Sequence, residues 1–132
     1  MSDDNSLEEL REQKKQELVE DEQTPDAPSE PIHVNGQEEL DDAVSQYDVV
    51  LADFYADWCG PCKMLEPIVE SLAAETDAAV VKIDVDANQP LAQQFGVQGV
   101  PTLVLFADGE QAEQMVGLQQ KDALAGKIAQ YS

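Results

Sequence analysis

The sequence predicts an α/β domain with a mixed central sheet of about five strands and helices on both faces. Two observations lead to this prediction. Apolar strand patterns alternate with helical patterns from residue 32 onwards, and a hairpin signal follows the last apolar strand. Strands that alternate with helices pair in parallel through crossovers, whereas a hairpin adds an antiparallel pair. A chain of 132 residues is long enough for one domain with its own core.

The elements can be placed in order from the spacing of apolar side chains. Strands are expected at 32–34, 48–56, 79–84, 102–106 and 110–117. Helices are expected on the face formed by Leu40, Ala43, Val44 and Tyr47, over 60–75, over 90–95, and around Leu124, Ile128 and Tyr131. Asp108-Gly109 is the two-residue turn between the last two strands.

Residues 1–31 differ in composition from the rest, and residues 32–132 form the predicted domain. A capping-box pattern begins at Ser6, but the apolar stripe after it is thin, so a helix there would be marginal in isolation. An acidic linker with three prolines follows. This composition favours a solvated, partly disordered tail over the alternative, a docking or targeting arm.

The charge is strongly acidic throughout, with 28 acidic and 7 basic residues and a net charge of −21. Residues 31–132 carry 17 acidic and 4 basic residues, so the excess is not confined to the tail. Such a surface repels nucleic acid and anionic membranes, and we expect neither as a partner. Adaptation to a salt-rich cytoplasm explains the scarcity of lysine better than the alternative, a single basic partner.

The sequence has no apolar run of the length that a signal peptide or a transmembrane helix needs. The longest apolar stretch among the first thirty residues is Leu18-Val19. A cytoplasmic location is therefore expected.

The two cysteines, Cys59 and Cys62, are three positions apart. A bridge between them closes a very short loop and adds little stability, which argues against a secreted, disulfide-stapled protein. A structural zinc site needs four ligands, and the sequence adds only His33 to the pair, so no metal site is expected. The pair is therefore predicted to be reactive.

The cysteines lie where a buried strand is predicted to end and a helix to begin. The free N–H groups and the positive dipole end of a helix N-terminus stabilise a thiolate. Cys59 is expected to be the exposed nucleophile, and Cys62 the shielded thiol that resolves the mixed disulfide. Pro61 suits the first helical turn, and Gly60 lets another backbone approach closely.

Residues 31–132 resemble the thioredoxin family over their whole length. The matching stretches are Ala52-Asp53-Phe54-Tyr55-Ala56-Asp57-Trp58-Cys59-Gly60-Pro61-Cys62-Lys63, Lys82-Ile83-Asp84-Val85-Asp86, Gly99-Val100-Pro101-Thr102 and Phe106-Ala107-Asp108-Gly109. The resemblance implies a thioredoxin fold and a monomeric enzyme that reduces protein disulfides without a cofactor. It also implies two kinds of partner, a thioredoxin reductase and disulfide-containing protein substrates.

The resemblance also implies roles for two charged residues. Asp53 matches the family's buried aspartate, which exchanges a proton with the resolving cysteine. The residues themselves leave two alternatives. A lone carboxylate buried in an apolar strand is costly and has a raised pKa, which suits proton exchange, or Asp53 points to solvent at the strand end. Lys82 matches the lysine that lies near this aspartate.

The family's apolar docking surface corresponds to Trp58, Gly60, Pro61, Gly99, Val100, Val116 and Gly117. Pro101 matches the family's cis-proline, which faces the cysteines. A cis bond there would present the Val100 backbone to an extended substrate strand. Tyr55 departs from the pattern, because many thioredoxins have tryptophan at this position.

Two other functions remain open at this point. One is an oxidase or isomerase, but such relatives usually carry histidine between the cysteines, where this chain has Gly60-Pro61. The other is a binding module that uses the docking surface without turnover. The presence of both cysteines together with Asp53 and Pro101 argues against it.

Salt adaptation predicts that stability depends on ionic strength. We expect the free energy of unfolding to rise between low salt and molar KCl, because counterions screen the repulsion among carboxylates. Urea unfolding at a series of KCl concentrations measures this. Full stability at low ionic strength, with no gain in molar KCl, would contradict the salt-adaptation hypothesis.

Overall fold

A computed structural model describes residues 27–132. The capping box and helix expected before residue 27 lie outside the described residues. The strands are β1 (Ile32–His33), β2 (Val49–Tyr55), β3 (Ala79–Asp84), β4 (Thr102–Ala107) and β5 (Glu110–Val116). The helices are α1 (Gly36–Gln46), α2 (Gly60–Glu75), α3 (Gln89–Gln94) and α4 (Lys121–Tyr131). None of these helices is long and apolar enough to cross a bilayer.

The strands form one mixed sheet in the order β1-β3-β2-β4-β5. β1 and β2 are both parallel to β3, and helices provide the crossovers. β4 is antiparallel to β2, and β5 is antiparallel to β4. The predicted mixed sheet with helices on both faces is therefore confirmed.

The connection between β4 and β5 is the predicted hairpin. Asp108 and Gly109 have φ angles of 54° and 86°, as the two central residues of a type I′ turn require. The flanking residues Ala107 and Glu110 are paired across the strands. An aspartate tolerates positive φ better than most residues, and glycine adopts it without steric penalty.

The starts of α2 and α3 agree with local signals in the sequence, since each helix has a proline in its first turn. α2 begins directly after Cys59, and Pro61 lies in its first turn, where its missing N–H is not needed. α3 begins at Gln89, one residue before the predicted start, with Pro90 in its first turn.

The side chains of β2 alternate between two cores, one on each face of the sheet. Val50 and Phe54 pack in the core that includes residues of α1 and α3. Leu51 packs on the opposite face, in the core that includes residues of α2 and α4. Because alternate residues share a face, Asp53 points to the α2 side together with Leu51. Burial on both faces accounts for the nearly unbroken apolar run of this strand.

Candidate active site

Cys59 and Cys62 form a disulfide at the junction between β2 and α2. Cys59 is the N-cap residue of α2, and its Sγ accepts a hydrogen bond of 3.1 Å from the Cys62 backbone N–H. An N–H group at a helix N-terminus has no partner within the helix. The cysteine sulfur therefore occupies the position where a helix N-terminus stabilises negative charge.

The exposure of the two cysteines differs from the prediction. Cys59 was expected to be exposed, but its relative exposure is 4%, and that of Cys62 is 5%. That expectation is wrong for the disulfide form. The Cys59 Sγ lies 3.6 Å from the Val100 carbonyl oxygen, and Tyr55 and Val85 also pack against the cysteine cluster. The cysteines are thus distinguished by their positions at the helix N-terminus, since their exposure is nearly equal.

The loop before β4 brings further predicted site residues to the disulfide. The Val100–Pro101 peptide bond is cis, and Pro101 is buried. The Thr102 hydroxyl donates a 2.6 Å hydrogen bond to the Gly99 carbonyl oxygen. The Gly117 backbone N–H donates a 2.8 Å hydrogen bond to the Pro101 carbonyl oxygen. The structure therefore connects the loop at 99–101 to the end of β5.

Large apolar side chains are exposed next to Cys59, within α2, and at and after the end of β5. The large ones among the described residues are Trp58 (72% exposed), Met64 (62%), Val116 (68%) and Leu118 (43%). Gly60 and Pro61 are also exposed. Exposed apolar groups near one site are typical of an interaction surface.

The ring of Trp58 is held by a residue that the sequence analysis did not single out. The indole Nε1–H donates a 2.9 Å hydrogen bond to Oδ2 of Asp86, which follows β3. This contact bridges 28 positions in sequence, and no local pattern indicates it. The only available signal was that Asp86 ends one of the stretches that resemble the family.

Asp53 and Lys82 lie side by side on the α2 face of the sheet. They are paired in the register of β2 and β3, and their relative exposures are 1% and 5%. The Lys82 Nζ is 4.0 Å from Oδ2 of Asp53, which is beyond hydrogen-bond distance. Neither carboxylate oxygen of Asp53 accepts a hydrogen bond from the described residues.

Burial raises the pKa of Asp53 from 3.8 to about 6. Desolvation is the largest cause, because a charged carboxylate is disfavoured away from water. The positive charge of Lys82 lowers this pKa, whereas the negative charge of Glu66 raises it. A carboxyl group with such a pKa can take up and release a proton close to neutral pH.

Glu66 is the second residue that the sequence analysis missed. The Lys82 ammonium donates a 3.0 Å hydrogen bond to Oε2 of Glu66 and lies 4.4 Å from the centre of the Tyr55 ring. Glu66 is four residues after Cys62 on α2, so the two share a helix face. Cys62, Glu66 and Lys82 all line one cavity of about 170 Å³. The sequence signal available for Glu66 was its spacing of four residues from Cys62 within a predicted helix.

Within residues 27–132, no group of three His, Cys, Asp or Glu side chains is placed to hold a metal ion. His33, at the end of β1, is exposed. Its ring makes an edge contact with Tyr55 at 6.3 Å between centroids.

The chain is similar to known proteins in both sequence and structure. The family model described as thioredoxin matches residues 31–130. Thioredoxin from Chlamydia muridarum is 45% identical over 101 residues, which are 76% of this chain and 98% of that protein. Thioredoxin from Mycobacterium bovis is 46% identical over 90 residues, covering 67% of this chain and 78% of the relative.

Solved structures agree with the sequence relatives. A mutant thioredoxin from Halobacterium salinarum shares 68% identity with a TM-score of 0.79, and the match covers 81% of this chain and 95% of that one. Thioredoxin from Schistosoma mansoni shares 29% identity with a TM-score of 0.72, over 80% of this chain and 99% of the other. The chain therefore belongs to the thioredoxin family, and it is a protein-disulfide oxidoreductase whose redox centre is the Cys59–Cys62 pair.

Proposed function

We propose that this chain reduces protein disulfides, with Cys59 as the attacking thiolate and Cys62 as the resolving thiol. The observation that carries the proposal is the position of the cysteine pair at the N-terminus of α2. There the Cys62 N–H donates to the Cys59 sulfur. A hydrogen bond to a sulfur favours its charged form, so Cys59 is the thiolate in the reduced protein.

The first step joins the protein to its substrate. The Cys59 thiolate attacks one sulfur of the substrate disulfide, a new S–S bond forms, and the substrate bond breaks. The second substrate sulfur leaves as a thiolate and takes a proton from water.

The second step releases the product. The Cys62 thiol gives its proton to the Asp53 carboxylate, and the resulting thiolate attacks the Cys59 sulfur. The mixed disulfide breaks, the Cys59–Cys62 disulfide forms, and the remaining substrate sulfur leaves as a thiolate that takes a proton from water, while Asp53 returns its proton to water. The substrate has gained two electrons and two protons. The pKa of about 6 at Asp53 supports this role, since a general base works best near the operating pH.

The partly exposed surface around the disulfide, with the buried Pro101 beneath it, is the proposed docking site. Its members are Trp58, Gly60, Pro61, Gly99, Val100, Pro101, Val116 and Gly117. An extended substrate segment pairs with the backbone of Val100, whose carbonyl oxygen already lies beside the Cys59 sulfur at 3.6 Å. The exposed rings and aliphatic groups contact the apolar side chains of the substrate.

The direction of electron flow follows from the residues between the cysteines. Gly60-Pro61 places no additional positive charge beside the thiolate, so the dithiol form is not specially stabilised and the pair is a reductant. The proposed electron donor is a thioredoxin reductase. Residues 32–132 act as a monomeric catalytic domain, and residues 1–31 are an acidic extension.

The proposed setting is a salt-rich cytoplasm. The 68% identity to a thioredoxin of the halophile Halobacterium salinarum supports it. So does the charge balance, because residues 31–132 contain only four basic side chains, all lysines. Three of these lysines form ion pairs with glutamates, which leaves most carboxylates to be screened by ions from the solvent.

Substitution Cys62→Ser tests the division of roles between the cysteines. The variant attacks a disulfide-bonded protein through Cys59 but cannot resolve the product, so a stable mixed disulfide accumulates. Mass spectrometry under non-reducing conditions detects the adduct. The matched variant Cys59→Ser is expected to give none. An adduct that forms through Cys62 in Cys59→Ser, and not through Cys59 in Cys62→Ser, would reverse the assignment.

Substitution Asp53→Asn tests the buried carboxyl group through stability. In the unfolded chain this group ionises near pH 4, and in the folded chain near pH 6. Between these values the folded state binds more protons, so the wild type loses stability as pH rises. The shift of about 2 pH units corresponds to about 3 kcal/mol. The variant is therefore expected to gain up to about 3 kcal/mol on the wild type between pH 4 and pH 7.5.

Urea unfolding at both pH values, at fixed KCl, measures this gain. The exposed carboxylate Asp77 provides the control, and Asp77→Asn should track the wild type at both pH values. The rate of mixed-disulfide resolution at pH 7 should fall at least about tenfold in Asp53→Asn, because Cys62 lacks its proton acceptor. A stability difference that does not change with pH would contradict the raised pKa.

A further inference from the structure

Lys82 lies between two carboxylates and makes a hydrogen bond with only one of them. Its Nζ is 3.0 Å from Oε2 of Glu66 and 4.0 Å from Oδ2 of Asp53. Glu66 is about half exposed, whereas Asp53 is buried. A hydrogen bond from Lys82 to the buried Asp53 would be the expected arrangement, because a buried charge gains more from a direct partner than an exposed charge does.

The ammonium position is set by three elements. α2 supplies Glu66 as hydrogen-bond acceptor, and β2 supplies the Tyr55 ring, whose centre is 4.4 Å from the Nζ. β3 supplies Lys82 itself, whose backbone is fixed by its pairing with Asp53. A cation over an aromatic ring and beside a carboxylate is stabilised where it lies.

We propose that Glu66 is a positioning residue for the redox site. By accepting the hydrogen bond of the Lys82 ammonium, it holds this ammonium out of hydrogen-bond reach of Asp53, and so leaves Asp53 free to exchange its proton with Cys62. If Lys82 donated to Asp53 directly, the carboxylate would be held in its charged form and would be a weaker base. The catalytic consequence rests on the proton exchange proposed above, whereas the positioning of Lys82 does not.

Other charged and titratable groups surround the Asp53–Lys82 pair. Beside Cys62, the cavity of about 170 Å³ is lined by Tyr55, Asp57, Lys63, Glu66 and Lys82 among others. On the outer side, a cavity of about 400 Å³ is lined by Glu30, His33, Glu66, Glu70 and Lys82 among others. Glu66 and Lys82 are the charged residues common to both cavities. Glu70 lies one turn beyond Glu66 on α2 but has no ion pair with Lys82 in the described structure.

The test compares Glu66→Gln with Glu70→Gln in the oxidised full chain at fixed KCl. The titration of the Asp53 side-chain carboxyl is followed by carbon NMR. Both variants remove one negative charge from the same helix, and only the first removes the charged acceptor of Lys82. The midpoint of Asp53 is expected to fall by about one pH unit in Glu66→Gln, because the ammonium turns to Asp53. It is expected to move by less than about 0.3 unit in Glu70→Gln.

A midpoint that stays within about 0.3 unit of the wild type in Glu66→Gln would overturn the proposal. Equal shifts in both variants would also overturn it, because they would indicate a general charge effect. In a Lys82→Met background, the effect of Glu66→Gln should shrink to the smaller direct effect of the Glu66 charge on Asp53, and an undiminished effect would contradict action through Lys82. If Lys82→Met does not fold, Lys82→Gln serves as the uncharged background, because only such a background separates the direct charge effect from the position of the ammonium.

The NMR titration needs no turnover, so it separates this proposal from the proposed function. In Glu66→Gln, the acid limb of the pH profile for mixed-disulfide resolution is expected to move to lower pH by the same amount as the Asp53 midpoint. A shifted Asp53 midpoint with an unshifted rate profile would leave Glu66 positioning Lys82 but would reject proton exchange between Asp53 and Cys62.

Discussion

The alternation of side chains along β2 determines where the functional groups of this molecule lie. One set of side chains fills the core with α1 and α3, and the other faces α2 and α4. Asp53 belongs to the second set, so the fold buries a carboxylate under the helix that carries both cysteines. The strand then ends at Tyr55, and the helix begins at Gly60 with Cys59 as its cap. A one-residue slip of this strand would move the carboxylate to the opposite face.

The buried charge pair limits what the site can do. A carboxylate without a hydrogen-bond donor is destabilising, and its raised pKa measures that penalty. Lys82 compensates only in part, since it lies closer to Glu66 than to Asp53. The site thereby keeps a carboxyl group with a pKa of about 6 at the expense of stability, and functional sites commonly contain such unpaired groups.

Local signals were sufficient for most of the fold and for the reactive pair. The period of apolar residues located the strands and helices, and Asp108-Gly109 specified the hairpin because both residues accept positive φ. The cis bond before Pro101 could be anticipated only from the family resemblance, since most such bonds are trans. The Glu66–Lys82 and Trp58–Asp86 contacts were missed, because they join elements that are distant in sequence. The burial of Cys59 was missed for the same reason, since Val100 covers it from 41 positions away.

The central claim is that Cys59 and Cys62 form a reducing dithiol, and their reduction potential tests it most directly. The full chain is equilibrated with redox buffers in molar KCl, and the fraction of disulfide is read by thiol labelling. We expect a midpoint near the family value of about −270 mV, because Gly60-Pro61 adds no charge that would favour the reduced form. A midpoint of about −180 mV or higher, as in the isomerases and oxidases of related chemistry, would contradict the assignment of this protein as a reductant.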